Sequence, residues 1–207
     1  MKKTALVTVI LLLCHCMTGL AQRAAAQPER HFPRISIYSN LAHDFALIPN
    51  LGVQVGVFDD WSVSLSWNHS WWGGEGHSWK VYGPELTVRR YFSGRNADRS
   101  YTGHHAGLYT QVITYDIQRR CGTGYLGGEP GGNLFDGANW GTGLEYGYTF
   151  RLNRQLDLDL SIGLGYFGGK YYSYEYTGGQ YIWQSTAHRN YWGPTRLGVT
   201  LIWNLPL

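Results

Sequence analysis

Charge is scarce in this sequence. Asp, Glu, Lys and Arg make up 15% of its 207 residues, against about a quarter in an ordinary soluble domain. The formal net charge is +3, and it falls to about +1 if Lys2 and Lys3 leave with a targeting segment. That removes any electrostatic case for a nucleic-acid partner. Long hydrophobic runs are missing too: nothing approaches the ~20 apolar residues of a membrane-spanning helix. Of three cysteines, Cys14 and Cys16 fall in the first 21 residues. Cys121 alone cannot close an internal disulfide, so no covalent staple supports the fold. A single thiol in a Gly-rich stretch is read as incidental rather than catalytic.

Aromatic residues and glycine are abundant instead. Nine Trp, sixteen Tyr and seven Phe bring aromatics to 15%, and there are 28 glycines. This mixture argues against a disordered chain, a coiled coil and a collagen-like repeat.

The N-terminal segment reads as an address. Lys2 and Lys3 form a basic start, Ala5 to Leu13 is a short apolar stretch, and Gly19-Leu20-Ala21 offers small residues where a signal peptidase cuts. A second possible cut follows Ala26. The residues ahead of Cys14 and Cys16 lack the small side chain that lipid attachment requires. The expected organisation is a signal peptide at 1–21, a short periplasmic leader at 22–32 and one β-domain at 33–205.

That domain alternates with period two almost throughout. The clearest run is Leu156 to Tyr166, with Leu156, Leu158, Leu160, Ile162 and Leu164 on one face and Asp157, Asp159, Ser161, Gly163 and Gly165 on the other. Strand side chains alternate between faces, so this pattern predicts a strand. Leu51 to Val57 and Trp61 to Trp67 repeat it. Weaker versions lie at Ile35 to Leu41, Pro84 to Tyr91, Ala106 to Val112, Trp140 to Phe150 and Leu197 to Trp203. Connections alternate between tight turns (Asp59-Asp60, Arg151 to Arg154), with a modest one at Ser93 to Arg99, and longer segments. The first connection, His43 to Asn50, is intermediate; the long ones are Trp72 to Trp79, Ile117 to Asn139 and Gly168 to Asn190. The fold expected is all-β: an eight-stranded antiparallel up-and-down transmembrane barrel. Small polar-face residues such as Ser62, Ser64, Ser66, Gly52 and Gly147 suit the narrow interior of eight strands. Trp61 and Trp71 share a face ten residues apart, which at ~3.3 Å per residue and a tilt near 40° is about 25 Å along the membrane normal, the height of an apolar band.

Alternation sends Glu85, Thr87, Arg89, Glu145, Asp157, Asp159 and Arg196 inward. Of these, Glu85, Arg89, Glu145, Asp157, Asp159 and Arg196 are expected to form a buried polar network, because an unpaired internal ion is costly. His69 lies near the far rim with Ser70 and Glu75 close by. Adjacent strand residues face opposite ways, so His69 and Ser70 are not expected to act as a hydrolytic pair. His43, His69, His77, His104, His105 and His188 lack metal-ligand spacing, and His104 and His105 are expected on opposite faces. Tyr171, Tyr172, Tyr174 and Tyr176, then Gly178-Gly179, then Tyr181 and Trp183, suggest two strands running on through a glycine turn. Tyr172, Tyr174, Tyr176, Tyr181 and Trp183 are the candidate ligand contacts, because rigid amphipathic rings favour sugars or protein surfaces.

Several of these segments resemble an uncharacterised family of small secreted proteins from Bacteroides-like bacteria, known only as a domain of unknown function. The matching residues are Asn40-Leu41-Ala42-His43-Asp44, Pro49-Asn50-Leu51-Gly52-Val53, Trp61-Ser62, Pro84-Glu85 with Arg89-Arg90-Tyr91-Phe92, and Gly198-Val199-Thr200-Leu201-Ile202-Trp203. Gln54 and Phe92 stand where the family often has Glu and Trp, and Leu207 replaces a terminal aromatic. The resemblance implies an outer-membrane barrel and carries no catalytic residues. The function expected is a non-enzymatic envelope or surface-recognition role in the outer membrane, without cofactor or metal. Its partners would be outer-membrane lipid and a surface glycan or protein. A barrel enzyme acting on lipid A and a soluble periplasmic barrel binding a small apolar ligand are the alternatives.

Overall fold

The computed structural model describes residues 35–58, 60–74, 77–92, 101–118, 133–177 and 180–205. The expected signal peptide and leader, Glu75, Cys121, the turn at 93–99, the Gly178-Gly179 turn and Leu207 lie outside them. Eight antiparallel strands follow in chain order: β1 (Ile35–Asn40), β2 (Asn50–Phe58), β3 (Trp61–Gly74), β4 (His77–Tyr91), β5 (Gly103–Gln118), β6 (Leu134–Arg151), β7 (Leu156–Thr177) and β8 (Gln180–Asn204). Each pairs with its neighbour in sequence, and β8 pairs back onto β1 through Ile37 opposite Trp203, closing the barrel. The seam is short: β1 pairs with β8 only over Thr200–Asn204, and the rest of β8 pairs with β7 alone.

Local chemistry fixes the connections. At the β6–β7 turn the Asn153 side-chain oxygen accepts from the backbone N–H of Gln155 and Leu156 at 2.8 and 2.9 Å, a side-chain substitute for a backbone turn. At the opposite end, β1 runs into a short helix, α1 (Leu41–Phe45), whose first turn is capped by the Asn40 side chain. Leu47 then reverses the chain at φ 61. Two tryptophans hold this segment down: Trp72 Nε1 donates to the Leu47 carbonyl at 2.7 Å and Trp79 Nε1 to the Ala46 carbonyl at 3.1 Å.

The strands extend further at this far end than alternation alone suggested. β3 and β4 run to Gly74 and from His77, and β7 and β8 run to Thr177 and from Gln180. Most of the segments expected as the loops Trp72 to Trp79 and Gly168 to Asn190 are therefore strand. The cross-strand ladder continues in them because they pair residue for residue, Trp72 with Trp79 and Tyr172 with Thr186.

The barrel wall has two zones of opposite sense. In the zone nearer the chain ends, polar residues are buried inside, among them Ser62, Ser64, Ser66, Glu85, Arg89, Glu145 and Asp159. The outside there is bare aliphatic surface: Leu51, Leu65, Leu108, Leu144, Ile162 and Leu197 are 50–66% exposed. In the far zone the sense reverses. Val81, Tyr115, Ile117 and Phe135 form a buried apolar cluster inside, with Ile48, Trp79, Ile113 and Tyr171 against it. Outside stand Lys80, Asp116, Asp136, Lys170 and His188.

A belt of rings marks the crossover. Trp71 lies 5.9 Å from Tyr82, Trp140 5.1 Å from Tyr166, and Tyr166 5.2 Å from Trp192, centroid to centroid. A second set, His104, Tyr148 and Phe150, clusters toward the chain-end rim at 4.5–4.7 Å. Trp140 and Phe150 sit ten residues apart on the outer face of β6, as Trp61 and Trp71 do on β3. At ~3.3 Å per residue and a tilt near 40°, both intervals come to about 25 Å along the barrel axis.

Candidate functional site

The interior charges converge across the bore. Arg196 on β8 donates from Nε and Nη2 to Glu85 Oε1 on β4 at 3.0 and 2.8 Å, and from Nη1 to Glu145 on β6. Arg89 on β4 donates to the other Glu145 oxygen and reaches Asp159 on β7 at 3.5 Å. Asp159 also accepts from Thr149 at 2.9 Å and meets His105 Nε2 on β5 at 2.6 Å. These ionic side chains are at most 5% exposed. Of the expected network, Glu85, Arg89, Glu145, Asp159 and Arg196 come together directly. Asp157 lies at the chain-end rim, where it accepts from Asn204 at 2.6 Å.

Two backbone irregularities lie beside these groups. Gly83 and Gly193, each followed by proline, adopt φ +152 and +153, a conformation in which a side chain is strained. Beyond Gly193 the β7–β8 register shifts between Gly163 and Leu164. Thr195 and Arg196, though consecutive, are consequently both buried. Thr195 meets the Tyr109 hydroxyl while Arg196 reaches the two glutamates. Alternation could not have found Thr195, because a bulge breaks the parity on which it depends. His105 was legible as the inward partner of His104. Its bond to Asp159 was not, because the partners are 54 residues apart.

His69 and Ser70 separate as expected. His69 is exposed and stacks on Trp71 at 6.3 Å. Ser70 is buried and accepts from the Val81 N–H at 2.8 Å. Among the described residues, no group of three or more His, Cys, Asp or Glu side chains converges as a metal site.

The aromatic candidates lie on the ribbon formed by the far ends of β7 and β8. Tyr174 pairs with Trp183 and Tyr176 with Tyr181, whose rings are 4.9 Å apart. A register shift between Ser173 and Tyr174 leaves Gln184 as an extra residue on β8. That bulge keeps Tyr181 and Trp183 on the same face as Tyr172, Tyr174 and Tyr176. Tyr172, Tyr176, Tyr181 and Trp183 are 37–57% exposed, and Tyr174 is half-buried.

The ribbon also reaches sideways. Tyr181 donates its hydroxyl to Gln118 Oε1 at the end of β5, at 2.8 Å. Beneath it is a cleft of about 250 Å³ lined by Trp71, Gly73, Ser78, Lys80, Asp116, Leu134 and Tyr181. Lys80 Nζ donates to Asp116 Oδ2 at 2.8 Å and lies 5.2 Å from the centre of the Trp71 ring. Asp136 pairs across the strand with Asp116. Partial burial, and then the Asp116 charge, raise the Asp136 carboxyl above its usual range, with Lys80 pulling the other way.

The chain belongs to the family described as Protein of unknown function (DUF3575), whose model matches residues 7–205. No curated protein and no solved structure matches it.

Proposed function

We propose, taking membership of this uncharacterised family as the premise, that the chain is an outer-membrane β-barrel with a non-enzymatic surface-recognition role, exercised through its aromatic far rim. The observation that carries this reading is the reversal of sense along the wall. A water-soluble barrel buries apolar residues along its whole length. Here the zone nearer Ile35 and Leu205 turns them outward, and on β3 and β6 the interval between flanking rings, about 25 Å, matches the apolar band of a membrane barrel. The far zone, with an apolar cluster inside and Lys80, Asp116, Asp136, Lys170 and His188 outside beside exposed rings, has the pattern of a barrel rim standing in water. Ile35 and Leu205 then lie on the periplasmic side and the β7–β8 ribbon on the outside of the cell.

The interior supports a structural rather than a transport role. Ion pairs spanning the bore between β4, β5, β6, β7 and β8 occupy the space a channel would need, and eight strands leave little to spare. The separation of His69 from Ser70 gives the wall no nucleophile–base pair there.

Gel migration of the membrane-fraction protein, boiled against unboiled, tests the barrel reading. Closed barrels in lipid resist detergent until heated, so the unboiled protein is expected to run at a different apparent mass. Recovery in the soluble periplasmic fraction with no shift would overturn the membrane assignment.

A further inference from the structure

We infer that the cleft under Tyr181 at the far rim is a subsite for one neutral hexopyranose ring. This rests on the surface-recognition reading and adds to it a position and a ligand class. Three features of the cleft carry it. Its volume, about 250 Å³, lies just below the ~300–1,000 Å³ of sites for drug-sized ligands, which suits a single ring rather than a peptide or a lipid tail. Its walls join an exposed indole, Trp71 at 60%, to a polar edge, which is the pairing a sugar offers in reverse: C–H bonds on one face and hydroxyls at the rim. Its polar edge is mixed. Lys80 keeps ammonium N–H donors beyond the one given to Asp116. Tyr181 donates its own proton to Gln118, so its oxygen remains an acceptor.

Charge narrows the class. Lys80 is already neutralised by Asp116 at 2.8 Å, and Asp136 stands directly across the strand from Asp116. One cation beside two carboxylates gives a phosphate or a uronate no net attraction, whereas a neutral ring meets donors and acceptors without an electrostatic cost. Gly73 in the cleft wall contributes no side chain to obstruct a ring. The site is assembled from β3, β4, β5, β6 and the tip of β8, where Tyr181 is hydrogen-bonded to Gln118.

The cleft opens at the belt that contains Trp71 and Tyr82, which the outer-membrane reading puts at the height of membrane headgroups. A hexose there belongs either to a glycolipid of the same leaflet or to a soluble glycan. Saturation-transfer difference NMR on the full barrel in detergent micelles distinguishes the possibilities, with methyl glucoside, methyl galactoside, methyl mannoside and N-acetylglucosamine as probes. At least one of the four should take up saturation, and glucose 6-phosphate and glucuronate should not. Trp71→Leu keeps apolar bulk but removes the ring, and Lys80→Met removes the ammonium donors. Each should weaken binding by about tenfold or more. Repeating the experiment in phospholipid vesicles assigns the source: displacement of the free sugar by a hexose-bearing glycolipid identifies the membrane, and retention identifies a soluble glycan.

The subsite is overturned if none of the four sugars takes up saturation, if the anionic sugars bind as well as the neutral ones, or if both variants bind like the parent. Heat-dependent gel migration of every variant is read alongside. A protein that shifts on heating yet ignores sugars loses the subsite and keeps the barrel reading. A protein that does not shift loses the barrel reading whatever the sugars do.

Discussion

The interior is filled by placing large rings against glycines. A Cβ added to Gly52 would fall 2.2 Å from the Tyr38 ring, and one on Gly147 2.7 Å from the His105 ring. Gly163 faces Tyr109 at 2.7 Å in the same way. Rings this rigid cannot give way within a closed wall, so Gly52→Ala should cost about 1–3 kcal/mol through overpacking. In a Tyr38→Ala background the same glycine substitution should cost much less, because the ring it meets is gone. Urea unfolding in micelles measures both, and additive losses would show that the ring is not what the glycine accommodates. The ion pairs make a related prediction. Arg196→Met leaves Glu85 and Glu145 buried without their shared partner, which should cost about 3–5 kcal/mol, whereas Glu85→Leu with Arg196→Met should cost less. A single-variant cost below ~1 kcal/mol would mean the pairs do not hold the bore together.

Among the elements, the far ends of β7 and β8 behave differently from the wall. Strands there are exposed on both faces and linked to the rest by contacts such as Tyr181 to Gln118. The neighbouring rim carries a titrating group. Partial burial and the Asp116 charge hold the Asp136 carboxyl above its usual range. The folded rim therefore keeps that proton more tightly than the unfolded chain does. Its contribution is most favourable in acid and is lost as pH rises through the folded value. Asp136→Asn should accordingly melt above the parent near pH 7, with the gap narrowing toward pH 4. Tryptophan fluorescence melts in micelles give the comparison. A gap that widens on acidification would mean the carboxylate is stabilised, not strained.

For the whole molecule, the decisive feature is the level at which the wall reverses. Leu144 and Ala138 lie on one strand and one face, both exposed, on either side of Trp140. In a bilayer, Leu144→Arg puts a charge into hydrocarbon at a cost of about 2–4 kcal/mol, while Ala138→Arg lies beyond the interface and costs about 0–1 kcal/mol. In a barrel surrounded by water both substitutions would be nearly neutral. Folding titrations into phospholipid vesicles separate these cases, and equal costs at the two positions would sink the membrane assignment.

Period-two alternation sufficed for the eight strands, their antiparallel order and the inward set Glu85, Arg89, Glu145, Asp159 and Arg196, because side-chain direction along an unbroken strand is a local property. The sequence also determined that His69 and Ser70 face apart, and that Tyr172 to Trp183 forms a paired ribbon rather than an open loop. Other features depended on tertiary structure. Strand length at the far end was decided by partners such as Trp72 and Trp79, whose pairing no single segment encodes. The inner apolar cluster of Val81, Tyr115, Ile117 and Phe135 comes from three strands, and its reversed sense is legible only once they stand side by side. The bulges at Thr195 and Gln184 shift parity at points where the neighbouring strand sets the register. The rim cleft joins residues from Trp71 to Tyr181, and only closure of the barrel brings them within reach of one another.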